Sequence, residues 1–235
     1  GWLNVTSYDV DSDTFYLPEP VKEGTSFLGW YADAEFTGEA VSQVEKGSTG
    51  NLVLYAKWEG GSEEVYADTL LISEYIEGSS NNKAIELYNG TGATVDLSEY
   101  TLELYSNGKT TITATLTLSG TLEHGKTYVI VNGQANEDFQ AKADLVNSDV
   151  INFNGDDVVI LKKGDAVVDS FGQLGSDPGD FWGDASVSTK DMTLVRKATI
   201  RAGRTDASGE FNPSDEWVAF AKDTFANLGS HTTDW

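Results

Sequence analysis

The chain has 235 residues, 38 of them Asp or Glu against 15 Lys or Arg, a formal net charge of −23, 39% apolar residues and no cysteine. The absence of cysteine excludes disulfides, thiolate metal sites and a cysteine nucleophile, and the apolar fraction argues against a disordered chain. The negative charge disfavours binding to nucleic acid or anionic lipid, since phosphates select Lys and Arg.

No apolar run is long enough to cross a bilayer, so no membrane insertion is expected. The absence of cysteine is compatible with an extracellular or cell-surface address. The chain opens Gly1-Trp2-Leu3 without an initiator Met, as expected of a piece of a longer protein. The carboxylate excess reads as solubility, or as a surface suited to calcium, which prefers carboxylate and carbonyl oxygens. The expected state is a monomer whose partner is a protein or surface component that the sequence does not name.

The flexible stretch Glu59-Gly60-Gly61-Ser62-Glu63-Glu64 divides the chain into a domain over 1–59, a linker over 60–66 and a domain over 67–235. In the first block, strands are expected over Trp2 to Val10, Thr25 to Tyr31 and Asn51 to Trp58, the last with large groups alternating on both faces. Pro18-Glu19-Pro20 sets an extended entry to the second strand. Gly29 fits a bulge, and Gly38 to Gly50 is the one helix candidate. Trp30, Tyr31, Tyr55 and Trp58 supply the apolar area a small domain needs; a glycan platform is the other use of such a cluster.

Pro18-Glu19-Pro20, Lys22-Glu23-Gly24, Phe27-Leu28-Gly29-Trp30-Tyr31, Phe36, Gly38 and Leu54-Tyr55-Ala56-Lys57-Trp58 resemble the Listeria–Bacteroides repeat, also called the internalin B-repeat. The resemblance implies a small β-grasp-like fold used in tandem on bacterial surface proteins as a spacer or adhesion module. Asp9-Val10-Asp11-Ser12-Asp13 stands where the family has an Asn-Gly-Gly turn.

The second block alternates short strands with turns. Strands are expected over Thr69 to Ile76, Lys83 to Tyr88, Thr101 to Tyr105, Thr110 to Leu118, Thr127 to Val131, Val158 to Lys162, Ala166 to Phe171, Thr193 to Arg196 and Glu216 to Phe220. Asn107-Gly108 and Lys163-Gly164-Asp165 are hairpin turns. Helix is expected only in short pieces such as Asn136 to Lys142. The rhythm means a β-sandwich or barrel.

The run from Ile72-Ser73-Glu74-Tyr75 through Asn82-Lys83-Ala84-Ile85-Glu86-Leu87-Tyr88-Asn89, then Asn154-Gly155-Asp156-Asp157, Asp169-Ser170-Phe171-Gly172, Asp177-Pro178-Gly179-Asp180-Phe181-Trp182-Gly183, Thr193-Leu194-Val195-Arg196-Lys197 and Phe211-Asn212-Pro213 to Trp217 resemble the lamin-tail domain. The likeness is to those at the front of secreted bacterial nucleases. It implies an immunoglobulin-like β-sandwich with no activity of its own. The expected fold is therefore mainly β: a β-grasp-like domain followed by an immunoglobulin-like sandwich.

Catalytic signals are sparse. His124 and His231 lack metal-ligand spacing, no serine sits in a Gly-x-Ser-x-Gly elbow, and no phosphate-cradling loop is present. Three clusters remain. Glu74, Glu77, Asn82 and Glu86, with Asn81, surround one hairpin. Either they hold calcium, or Glu74 and Glu86 accept loop amide bonds. Asp177, Asp180 and Asp184 form a second acidic loop, in which Phe181-Trp182 is expected to plug the sandwich end; Asp206-Ala207-Ser208-Gly209-Glu210 is a weaker calcium-loop match. Lys190, Arg196, Lys197, Arg201 and Arg204 either face a phosphate backbone or pair with nearby acids. The expected role is a non-catalytic extracellular module, with a nuclease-targeting region or a carbohydrate-binding module as alternatives. No cofactor other than calcium is suggested.

Overall fold

The computed structural model describes residues 7–22, 24–60 and 65–235. The chain divides into two compact units, Gly1–Val65 and Tyr66–Trp235.

The first unit holds strands β1 (Phe15–Tyr16), β2 (Thr25–Tyr31), β3 (Gln43–Val44) and β4 (Tyr55–Gly60). β1 pairs with β3 and β2 with β4, both antiparallel. The β2–β4 register slips between Phe27 and Gly29. Gly29 takes φ +137°, and a Cβ there would sit 2.8 Å from that of Ala40, so this bulge requires glycine. Edge-to-face rings stand in for a deep core: Phe27 lies 5.5 Å from Trp30 and 5.3 Å from Trp58.

Three expectations for this unit need correction. Of the first strand, residues 2–6 lie outside the described residues, and 7–10 are loop and turn, fixed by Asp9 accepting from Asp11 N and Ser12 Oγ. Asn51 to Leu54 is not strand. The helix candidate over 38–50 contains β3 and turns, with Gly38, Gly47 and Gly50 all at positive φ.

The second unit is a two-layer sandwich. Its strands are β5 (Leu71–Glu77), β6 (Lys83–Tyr88), β7 (Val95–Asp96), β8 (Tyr100–Tyr105), β9 (Ala114–Thr117), β10 (Thr121–Leu122), β11 (Thr127–Val131), β12 (Leu145–Val146), β13 (Val158–Lys163), β14 (Ala166–Phe171), β15 (Met192–Arg196) and β16 (Trp217–Ala221). Two short helices, α1 (Glu137–Gln140) and α2 (Pro213–Glu216), are N-capped by Asn136 and Asn212. One sheet runs β12-β11-β6-β5-β15-β16 and the other β14-β13-β8-β9. Asn107 and Gly108, at φ +56° and +68°, make the expected tight turn in the β8–β9 connection.

Strand alternation sorts the side chains. Ile72, Tyr75, Ile85, Leu87 and Ile130 point into the inter-sheet core, where they meet Leu102, Leu104, Val159, Leu161 and Phe171. Ile76, Ala84, Val129 and Val131 point to the outer face of the six-stranded sheet. There Phe139 of α1 and the C-terminal segment, through Phe225 and Leu228, cover them as a second core. That sheet is therefore apolar on both faces, which is why β5 and β6 are buried at every position. Among the described residues, no helix is long and apolar enough to cross a membrane.

Candidate functional site

The β5–β6 hairpin decides the fate of the first predicted cluster. Glu74 stands opposite Glu86, and Glu77 opposite Lys83. Glu74 and Glu77 are three apart on one strand, as are Lys83 and Glu86 on the other, so each pair faces opposite sides of the sheet. The four expected calcium ligands are not brought together. Asn82 sits in the loop, bonded to Asp223 Oδ1 at 3.0 Å and to Asn136 N at 2.9 Å. Among the described residues no group of three or more His, Asp or Glu side chains is placed to hold one metal ion.

On the outer face, Glu74 and Glu86 are each 1% exposed. Glu86 accepts from Ser73 Oγ at 2.7 Å and from Gly229 N at 2.6 Å, whereas both carboxyl oxygens of Glu74 are buried without a hydrogen-bond partner. Burial, then the charge of Glu86, pushes the Glu74 carboxyl up to about 8, against the pull of Lys142. Burial pushes Glu86 to about 7, against the Gly229 amide and the Ser73 hydroxyl. The pair is a neutral or singly charged diacid under the C-terminal segment. Nearby, burial lowers His231 to about 4.

The other face of the hairpin opens on a polar pocket of about 320 Å³ lined by Glu77, Asn154, Gly155, Asp156, Gly179, Asp180 and Lys190. It joins one member of each predicted cluster: Glu77, Asp180 and Lys190. Lys190 Nζ and Asp180 form an ion pair of 2.8 Å, which depresses the Asp180 carboxyl. Glu77 accepts from Asp191 N at 2.6 Å. Behind Glu77 and Asn154, the buried Lys83 Nζ donates to Phe153 O at 2.5 Å and Asn154 Oδ1 at 3.1 Å, and lies 3.4 Å from Glu77 Oε1. Tyr75 and Phe153, both fully buried, stack at 4.6 Å, and the Tyr75 hydroxyl donates to Asn154 O. A buried ammonium with three acceptors is well satisfied. Sequence reading missed Lys83 and Asn154, although both stand in quoted motifs, because a lone Lys and a lone Asn carry no spacing signal.

The remaining predicted residues close turns or hold the sandwich together. Asp177 accepts from Gly179 N, and Asp184 from Ser186 N and Val187 N, which lowers its carboxyl. Asp206 caps its own turn through Ser208 N and Gly209 N. Trp182 is buried edge-on to Phe211, but Phe181 is exposed, so only one of the two aromatics plugs the sandwich.

The basic run does not form a cationic face. Arg196 is 2% exposed and reaches across the sandwich to Asp169 at 2.7 Å and to Glu216 at 2.9 Å, while its guanidinium lies 4.5 Å from the Trp217 ring. Asp169, fully buried on β14, also accepts from Ile72 N on β5 and from Arg204 N, tying the two sheets together. Lys197 donates to the carbonyls of Ser214 and Asp215 at the end of α2. Arg204 donates to Ser170 Oγ and to the carbonyls of Gly172, Gly209 and Glu210. Arg201 is exposed. The physical reason is parity and burial: in so acidic a chain, cations projecting inward from strands and loops find carboxylates and carbonyls first.

Comparison with known proteins adds two matches along the chain. A family model described as "Listeria-Bacteroides repeat domain" covers residues 3–57, and one described as "Lamin Tail Domain" covers residues 63–175. No curated protein matches the chain. Among solved structures, the chain is similar to that of a DUF4876 family protein from Bacteroides thetaiotaomicron, at 10% identity and a TM-score of 0.46, over 82% of this chain and 81% of that one.

Proposed function

We propose that this chain, a Listeria-Bacteroides repeat domain followed by a lamin-tail domain, is a non-catalytic extracellular accessory, spacer or adhesion module of a larger secreted or surface-anchored bacterial protein. Neither matched family model is described by a catalytic activity. The observation that carries the reading is the use made of the charged groups. Arg196, Lys197 and Arg204 are bonded within the sandwich, and Asp177, Asp184 and Asp206 close their own turns. These groups serve the fold, and the net charge of −23 repels a phosphate backbone.

One observation favours a second reading, carbohydrate binding. The first unit has an apolar pocket of about 350 Å³ whose lining includes Tyr16, Leu17, Phe27, Leu28, Trp30 and Val41; Tyr16 is 74% exposed. Sugars stack on such rings.

Both readings are tested by titrating the intact chain with duplex DNA at low salt and, separately, with bacterial and host glycans while following tryptophan fluorescence. The spacer reading expects no retarded DNA band and no quenching. A salt-sensitive DNA shift would replace it with a nuclease-targeting role, and saturable quenching with the carbohydrate-binding role.

A further inference from the structure

We propose that Lys83 and Asn154 become joined by an intramolecular amide cross-link, with Glu77 carrying the proton. The inference stands on the polar pocket and its wall and does not depend on the spacer reading.

Three groups that need to meet for this chemistry already meet. The Lys83 amine is 5% exposed and donates to Asn154 Oδ1 at 3.1 Å, one bond away from the carbonyl carbon it would attack. Glu77 Oε1 stands 3.4 Å from the same amine. The amine is held from behind by Phe153 O at 2.5 Å, and the Asn154 backbone is held by the Tyr75 hydroxyl at 3.3 Å and by Asp157 Oδ2 at 2.9 Å. An amide is a poor electrophile in water. Asn154 is an exposed loop residue, but with its backbone held and its side chain bonded to the nucleophile at the hairpin end, its amide gains the advantage of an intramolecular reaction. The link forms once per molecule, so a slow step is enough.

The step balances without a cofactor or an oxidant. Glu77 takes a proton from the Lys83 ammonium, and the freed electron pair forms a bond from Nζ to Asn154 Cγ. The negative charge that develops on Oδ1 collapses back as the bond from Cγ to Nδ2 breaks. Nζ gives up its second proton as the amide forms, and Nδ2 leaves with both protons, passed through Glu77, as ammonium, which carries away the charge that Lys83 held. Asn154 and Glu77 both line the open pocket, which gives ammonium a path to solvent and draws the reaction forward. Nothing is oxidised or reduced.

The product would tie the first residue of β6 to the loop that enters β13. It is a covalent bond between the two sheets of a sandwich that, having no cysteine, has no disulfide. A cross-link closing so long a loop restricts the unfolded chain and resists pulling apart of the sheets.

Mass spectrometry of the intact, purified chain decides the matter. The expected mass is that of the sequence less one ammonia, and a digest under denaturing conditions is expected to lack trypsin cleavage after Lys83 and to contain a branched peptide carrying both residues. The Asn154-Gly155 pair can also lose ammonia by closing on its own backbone, so Lys83→Arg is the control: it is expected to restore the full sequence mass. Glu77→Gln is expected to fold, by circular dichroism, and to keep the full mass; Asn154→Asp is expected to lose one water instead. The full sequence mass in the wild-type chain after prolonged incubation overturns the proposal, as does an ammonia loss that survives in Lys83→Arg. The wild-type mass is informative even if a variant does not fold.

Discussion

Asp169 and Glu74 are both buried carboxyls of the second unit, and the protein surrounds them in opposite ways. Asp169, in the inter-sheet core, receives a guanidinium and three backbone amides. Glu74, on the outer face of the sheet, has Glu86 beside it and no hydrogen-bond partner. The first arrangement holds a charge and uses it to join two sheets. The second holds a proton and makes the face above it sensitive to pH. A buried acid is a brace or a titrating switch according to which neighbour the opposite strand or sheet supplies.

Removing one partner of the brace gives the largest effect. Asp169→Asn leaves the Arg196 guanidinium without its buried counter-charge and is expected to cost about 3–5 kcal/mol, a fall in Tm of roughly 10 °C for a unit of this size, read by thermal or urea unfolding. A loss below about 1 kcal/mol would show that Glu216 and Trp217 suffice to hold Arg196.

Glu74→Gln tests the other side. The Glu74 carboxyl is raised in the fold from 4.5 to about 8, so between those values the folded chain holds a proton that the unfolded chain releases. Stability from this group is complete below about pH 4.5 and falls as pH rises to 8. Glu74→Gln keeps the shape without the acid, and is expected to flatten that fall and to gain on the order of 1–3 kcal/mol at pH 8. An unchanged alkaline slope would mean that Glu74 is not the titrating group.

His231 works in the reverse sense. Its lowered value of about 4, against 6.5 unfolded, means that stability present above pH 6.5 is lost as pH falls toward 4. His231→Phe, packing on Tyr88 as the imidazole does at 5.0 Å, is expected to remove about 1 kcal/mol of acid sensitivity, measured as Tm at pH 5 against pH 7. The smallest expected effect is that of calcium. With Glu77 directed away from Glu74 and Glu86, and Asn82 bonded to Asp223 and Asn136, millimolar calcium after EDTA is expected to move Tm by less than about 1 °C; a rise of several degrees would place a cation site elsewhere in the acidic surface.

Much of the fold is legible in the sequence. Thr25–Tyr31, Lys83–Tyr88, Thr127–Val131 and Ala166–Phe171 form strands at the expected limits, because alternating apolar residues between Gly, Asn and Asp turns leave few other solutions. Short pairings such as β7–β10 and β11–β12 were missed, since two-residue strands have no period to read. The candidate site was less legible. Glu74, Glu77, Asn82 and Glu86 look like one cluster along the chain, but strand parity turns Glu77 away from Glu74 and Glu86, and Asn82 is bonded within the loop to Asp223 and Asn136.

The sequence by itself determined the mainly β architecture, the two family resemblances and the acidic balance, all of which follow from local pattern and composition. Tertiary structure alone decided which charges meet. Arg196 finds Asp169 because β15 and β14 lie in different sheets that face each other, and Glu77, Lys83 and Asn154 meet only where a hairpin end meets the loop into β13. Backbone preference acts over a few residues, whereas a buried charge is paired by whatever the fold brings within a few ångströms, and that distance is not written in sequence separation.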